Sequence, residues 1–247
     1  MEFFRKTKGV FKFLLDCFFP RCCAICNGRT NSNEYCNLCP SCVSKIPWIG
    51  ETRCVLCSRP MGSAGDDGEL VCDECKSNPP NFKRGMSCWI HKGVGRDIIL
   101  TLKYRSADFL SNDIAKLLLN HCSEVCSFAE NSLLVPVPMH YFRRVKRGYN
   151  QSEVIAGAIA KVSEGATIAK ILASKGMRSQ TGLMRAERLV NVGDMFEFVE
   201  ESRAISRDSR VVLIDDVFTT GATARECCKV LRLAGFTDLH VLTLAHG

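Results

Sequence analysis

The sequence lacks any apolar run long enough to cross a membrane, and it shows no secretory signal. Its opening segment, MEFFRKTKGVFKFLLDCFFP, interrupts its apolar runs with Arg5, Lys6, Lys8, Lys12 and Asp16. That falls far short of the roughly 20 apolar residues needed for about 30 Å of hydrocarbon. Tryptophan and tyrosine are scarce, at two and four residues, so few indole or phenol rings are on hand to stack against a ligand. No Gly-Lys-Ser/Thr triplet closes a glycine-rich turn, which excludes a Walker A loop. None of the cysteines sits in a nucleophile motif, which argues against a cysteine hydrolase. His91, His121, His240 and His246 stand alone in the sequence and read as structural or solvated; His140 is a weak candidate ligand. With no export signal, the expected compartment is the cytoplasm, where thiols stay reduced.

Cysteine, by contrast, is in excess: 16 in 247 residues, twelve of them within residues 1–88. Eight form four C-x-x-C pairs: Cys23 with Cys26, Cys39 with Cys42, Cys54 with Cys57, and Cys72 with Cys75. Two intervening residues let one tight turn aim both sulfurs at a single ion, and two such turns complete a tetrahedral thiolate site. Consecutive pairing gives two zinc ribbons, each with one structural Zn²⁺; an interleaved cross-brace is the alternative. Neither set includes a histidine or an open position, so both sites read as structural rather than catalytic. Cys22 adjoins the first pair, and Cys36 makes an overlapping C-x-x-C with Cys39, so two further thiols compete for the ligand set. The Pro-Ser between Cys39 and Cys42 favours that pair. Cys227 and Cys228 fall on an expected helix and read as small buried residues.

The net charge of +7 is unevenly placed. Residues 1–80 carry ten cations against nine anions, residues 81–150 eleven against five, and residues 151–247 twelve of each. Arg143, Arg144, Lys146 and Arg147 are the densest part of the basic region, and such a cluster suits a polyanion, either a pyrophosphate or a nucleic acid.

After SNPPNFKRG (77–85), a Pro-containing break, strand-like and helix-like segments alternate, the mark of an α/β domain with a largely parallel sheet. Helices are expected at 111–127, 150–162 and 222–233, and strands at 133–138, 166–172, 211–214 and 239–244. The basic amphipathic segment 1–20 is expected to be a helix, lying on a membrane surface or packing on its own domain. Three segments follow, in this reading: that helix at 1–20, a double zinc ribbon at 21–80, and the α/β domain at 81–247.

The most informative stretch is VVLIDDVFTTGAT (211–223). A buried strand leads to two adjacent carboxylates, Asp215 and Asp216, and a Thr-Thr-Gly-x-Thr turn opens a helix. Such a turn offers backbone N–H groups, hydroxyls and a helix N-terminus to a phosphate, while the acids can accept hydrogen bonds from sugar hydroxyls. The stretch resembles the phosphoribosyl pyrophosphate (PRPP) signature of type I phosphoribosyltransferases. VPVPMH (135–140) followed by Arg143 and RGYNQ (147–151), LKY (102–104), and the pattern from Gln180 through Leu183, Arg185 and Arg188 to Asn191-Val192 resemble segments of the ComF competence family, whose double zinc ribbon the N-terminus also resembles.

The resemblance implies a type I phosphoribosyltransferase-like, mostly parallel sheet flanked by helices, preceded by a small double zinc-ribbon domain. It implies Asp215 and Asp216 on the ribose hydroxyls and Thr219, Thr220, Gly221, Ala222 and Thr223 around the 5′-phosphate. Arg143, Arg144 and Arg147 fit the pyrophosphate side, and Lys103 either joins them or is a surface lysine. Residues 176–195 read as a flexible loop able to close over the site, with Arg185 and Arg188 facing the ligand or salt-bridged to Glu187 and Asp194. Mg²⁺ would accompany PRPP. A role in natural transformation follows, with single-stranded DNA and the DNA-uptake machinery as partners. Two alternatives stay open: an active transferase on an unidentified acceptor, and a PRPP sensor without catalysis. Thr219 occupies the place where purine-salvage members carry an acidic residue, which counts against ordinary base salvage.

Overall fold

The computed structural model describes residues 21–30, 34–62, 70–104, 107–175, 195–200 and 205–247. The expected helix at 1–20 and the loop from 176 to 194, Arg185 and Arg188 included, lie outside these residues. Two short helices, α1 (Pro40–Val43) and α2 (Asp73–Ser77), precede the strand β1 (Arg84–Ile90). Next come α3 (Gly93–Tyr104), a 3₁₀ turn (Ala107–Leu110), α4 (Ser111–His121), α5 (Glu124–Phe128) and β2 (Leu133–Pro136). The chain continues through α6 (Tyr141–Arg147), α7 (Gln151–Ala160), β3 (Thr167–Ile168), β4 (Leu172–Ser174) and β5 (Phe196–Phe198), and ends with β6 (Val211–Phe218), α8 (Ala222–Leu233) and β7 (Leu239–His246).

Five strands form one sheet in the order β1-β7-β6-β2-β3, every neighbouring pair parallel. A strand covered on both faces must be apolar on both, which is why VVLI reads as an unbroken hydrophobic run; β7 is buried throughout as well, with His240, Thr243 and His246 among its apolar residues. Val212 and Ile214 face a core shared with Leu102, Ile114, Leu118 and Ile155 from α3, α4 and α7. Val211 and Leu213 face the opposite core, with Cys227, Cys228 and Leu231 of α8. The vicinal cysteines are thus buried packing residues, as expected. The mostly parallel sheet flanked by helices, with cysteine ribbons ahead of it, is the expected architecture.

Three elements differ from expectation. The helix at 111–127 breaks at Cys122, whose φ of −146° and ψ of 50° are not helical; the break turns α5 so that Glu124 meets Arg53 and Arg84. The strand at 166–172 splits, because β3 pairs with β2 only through Leu133 and Leu134. From Leu172 the chain instead pairs antiparallel with Phe196–Phe198 in a separate two-stranded sheet. The strand at 211–214 runs on to Phe218, so the two acids lie within β6 rather than beyond it.

The cysteine segments form two ribbons of the same local design. In each, the residue after the first C-x-x-C pair, Asn27 or Ser58, is left-handed (φ 57° and 65°). Its N–H returns to the carbonyl of Cys23 or Cys54, closing the knuckle. The second pair opens a short helix with Cys39 or Cys72 as N-cap, whose N–H points at the Sγ of Cys23 (3.4 Å) or Cys54 (3.3 Å). Ribbon one seats on α4, where buried Asp113 accepts hydrogen bonds from the backbone N–H groups of Cys36 and Asn37 and from Asn37 Nδ2, at 2.8, 2.8 and 2.9 Å. Ribbon two seats where Gly85 N–H donates to Leu56 O (2.7 Å) and where Arg225 donates to the carbonyls of Asn78 and Pro79. The linker between them runs antiparallel to β1: Ile49 N–H donates to Cys88 O, and Ile90 N–H to Pro47 O. It covers a sheet edge that would otherwise present unpaired backbone groups.

Candidate functional site

The cleft exists because β2 stops before β6 does. Pro136, which has no N–H, stands opposite Ile214, and Val137 makes the last link, its N–H donating to Ile214 O at 2.9 Å. The chain then leaves for α6, while β6 continues four residues further, paired only with β7. One flank of Asp215 and Asp216 is thereby left open. The connection from β2 leads away to β3 and that from β6 leads the opposite way to β7. Open parallel sheets take ligands at such a divergence, outside the carboxyl ends of the strands.

Asp215 Oδ1 accepts from Ser152 Oγ (3.2 Å) and from the Asp216 N–H (2.8 Å). Asp216 is buried, and its Oδ2 lies 2.8 Å from Lys103 Nζ of α3. Burial first, and the Asp216 carboxylate second, push Asp215 up to about 7, against the pull of those hydrogen bonds and the Lys103 ammonium. Asp215 therefore changes charge near neutral pH. Ser152 is held by its neighbour Asn150: Asn150 Oδ1 accepts the Ser152 N–H (3.0 Å), and Asn150 Nδ2 donates to Val137 O (2.9 Å). One asparagine thus fixes both the exit of β2 and the start of α7. Asn150 lies within the RGYNQ segment that carries the family resemblance, without a role of its own in that reading, and Ser152 carries no sequence signal; an asparagine N-cap ahead of an apolar helix is the available cue.

Among the described residues the cleft encloses about 1220 Å³. Arg143, Lys146 and Arg147 of α6 line it, with Lys103 and, just after β4, Lys175. Arg143 and Arg147, two of the cations expected on the pyrophosphate side, are thus among the lining residues. Arg144 is not: its guanidinium lies 3.5 Å from Glu153 of α7, on a face of α6 turned from the cleft lining. Lys146 takes its place because helical phase, not charge density, selects the facing residues. Lys175 carried no sequence signal. Of the threonine turn, Thr223 lines the cleft and Thr219, Thr220 and Ala222 are exposed beside it. Gly221 is buried with φ +73°, and a Cβ there would stand 2.6 Å from Phe218 Cζ, so only glycine fits. It is the N-cap of α8 and offers no side chain there, while Thr220 Oγ1 accepts the Ala222 N–H at 3.4 Å.

Acids that can accept hydrogen bonds face cations that can take phosphates across one crevice, an arrangement suited to a phosphorylated polyhydroxylated ligand. The metal sites are separate from it. Cys23, Cys26, Cys39 and Cys42 form one cluster and Cys54, Cys57, Cys72 and Cys75 another, the sulfurs of each within 4.8 Å of one another. Four thiolates at that spacing are the donor set of structural zinc. Consecutive pairs therefore share a site, the cross-brace is not formed, and Cys22 and Cys36 lie outside both clusters as exposed thiols.

Residues 14–78 match the double zinc ribbon domain family. Along most of its length the chain is similar to Competence protein F of Haemophilus influenzae, with 25% identity over 93% of this chain and 99% of that protein. It is also similar to Competence protein ComFC of Streptococcus pneumoniae, with 27% identity over 84% of this chain and 86% of that one. DNA utilization protein YhgH of Escherichia coli K12 is 23% identical over 90% and 88% respectively. No helix among the described residues is long and apolar enough to cross a membrane. The ribbon match and these competence-protein relatives together support the ComF family.

Proposed function

We propose that this ComF-family protein binds PRPP in the cleft at the end of β6 and serves DNA uptake by handling single-stranded DNA. The observation that carries the first part is the placement of Asp215 and Asp216 across one crevice from Arg143, Lys146 and Arg147. In this reading the acid pair takes the ribose 2′- and 3′-hydroxyls, the turn from Thr219 to Thr223 takes the 5′-phosphate, and the α6 cations with Lys103 take the pyrophosphate. Mg²⁺ would arrive with PRPP and offset charge on the diphosphate. The carboxylates fit such a ligand, since Asp215 is poised to ionise when a donor or cation approaches. The second part draws on relatives named for competence and DNA utilization and on the basic middle of the chain, which suits a polyanion.

Thr219 offers a hydroxyl where a base would be needed in the turn, so binding is the primary reading and transfer to an acceptor the secondary one. Calorimetric titration of the zinc-loaded protein with PRPP and Mg²⁺ tests the cleft. Saturable binding, lost on Asp215→Asn/Asp216→Asn, is expected. No binding by the wild type, or undiminished binding by the double variant, would overturn it. Pyrophosphate release across bases, nucleotides and single-stranded DNA then separates a transferase from a sensor.

A further inference from the structure

Helix α6 buries none of its residues. A short surface helix ordinarily turns its apolar side inward, yet Phe142 is 71% exposed and Val145 64%. The same helix carries cations and no acids, and among the described residues Arg143 and Lys146 make no ion pair, both being exposed. Beside it, Tyr104 at the end of α3 is 73% exposed, with the Arg147 guanidinium 5.4 Å from its ring centroid. The His140 ring lies 5.6 Å from that of Phe142, the two planes 22° apart. The rings are thus divided: Trp89 is fully buried, while Tyr104, His140 and Phe142 stand at the lip of the cleft among the cations.

Exposed flat rings set among uncompensated cations, with no acidic residue on the helix, match one polymer: a single strand with bases to stack and phosphates to neutralise. An acidic protein surface would satisfy the cations but leave the rings unused, and a duplex presents no open base faces. We propose that the cleft lip formed by Tyr104 and α6 is a platform for single-stranded nucleic acid. Bases stack on Tyr104 and Phe142 and phosphates lie on Arg143, Lys146 and Arg147. The strand thereby runs over the mouth of the crevice that holds the acid pair. This rests on and deepens the nucleic-acid half of the proposed function, and it shares the α6 cations with the pyrophosphate reading.

The test is fluorescence anisotropy of the zinc-loaded full chain with a labelled oligothymidine. Tyr104→Ala and Phe142→Ala should each weaken binding by about tenfold while leaving the salt dependence unchanged, as loss of a stacked base does. Arg143→Ala/Lys146→Ala should instead lower the slope of log affinity against log salt by about 1.4, or about 0.7 for each single-strand phosphate no longer neutralised. Lys45→Ala/Lys229→Ala, which removes two exposed cations elsewhere, should do neither. Photocrosslinking of an iodouridine-substituted strand to the wild type should label the segment containing Tyr104 or that containing Phe142. Strong wild-type binding that the aromatic variants leave intact, or crosslinks confined to the ribbons, would overturn the platform while the nucleic-acid reading stands. A wild type that binds no strand would overturn both. Dissociation of a wild-type dimer by Phe142→Ala, with strand affinity unchanged, would reassign the patch to a second copy of the chain.

Discussion

Lys103 Nζ and Asp216 Oδ2 lie 2.8 Å apart, joining the end of α3 to the inside of β6 at the floor of the cleft. The lysine side chain is one-quarter exposed and the aspartate almost fully enclosed. The pair therefore works asymmetrically: the ammonium compensates a carboxylate that water scarcely reaches. Removing the cation alone strands that carboxylate. Lys103→Met is expected to cost about 1–3 kcal/mol, the penalty for an unsatisfied buried group. Adding Asp216→Asn should return part of the loss. Urea midpoints of the zinc-loaded single and double variants check this; equal midpoints for Lys103→Met and wild type would show the pair to be inert.

Asp215 links the site to pH. Its folded value of about 7 lies above the ordinary 3.8, so the neutral acid is favoured in the folded state. Its contribution to stability is then complete below about pH 4 and is lost as pH rises through 7. Asp215→Asn should flatten that decline, measured as melting temperature from pH 5 to 8. The proposed ligand requires the carboxylate, so its affinity should rise over the same window with release of a proton. Calorimetry in two buffers of different ionisation enthalpy would detect the release in wild type.

Gly221 meets two constraints at once, a left-handed backbone and the Phe218 ring. Gly221→Ala should lower stability by about 1–3 kcal/mol, from strain at the positive φ and displacement of that ring. It should also weaken PRPP binding if the turn holds the 5′-phosphate. Thermal unfolding and titration of the same variant read the two effects separately.

Two zinc equivalents are expected per chain. Because ribbon one hangs from Asp113 by three hydrogen bonds, Asp113→Ala should make one equivalent yield to a chelator much faster than the other. Cys36→Ser and Cys22→Ser should keep both equivalents, whereas Cys39→Ser should lose one. A colorimetric chelator assay counts them; loss of zinc in Cys36→Ser would redraw the first ligand set. Removing both ions should unfold more than the ribbons, since Tyr35, Leu38 and Ile46 share a core with Ile98 and Leu110.

Much of this molecule follows from neighbours in sequence. A C-x-x-C knuckle is local geometry, so the sequence marked four thiol pairs, while the fold decided which pairs share an ion and that Cys22 and Cys36 stay outside. The strand, acid pair and threonine turn from Val211 to Thr223 are likewise contiguous, and so were legible. What the sequence could not supply is which distant residues meet. Asp113 holds ribbon one and Lys103 compensates Asp216 only because α3 and α4 pack on one face of the sheet. Which cations face the crevice depends on the phase of α6: Lys146 and Arg144 are two residues apart, and half a helical turn sends one to the cleft and the other to Glu153. The crevice itself arises from a difference in length between β2 and β6, set where Pro136 ends one strand and β7 sustains the other. Local spacing determined the thiol pairs and the signature. Packing decided what stands opposite them.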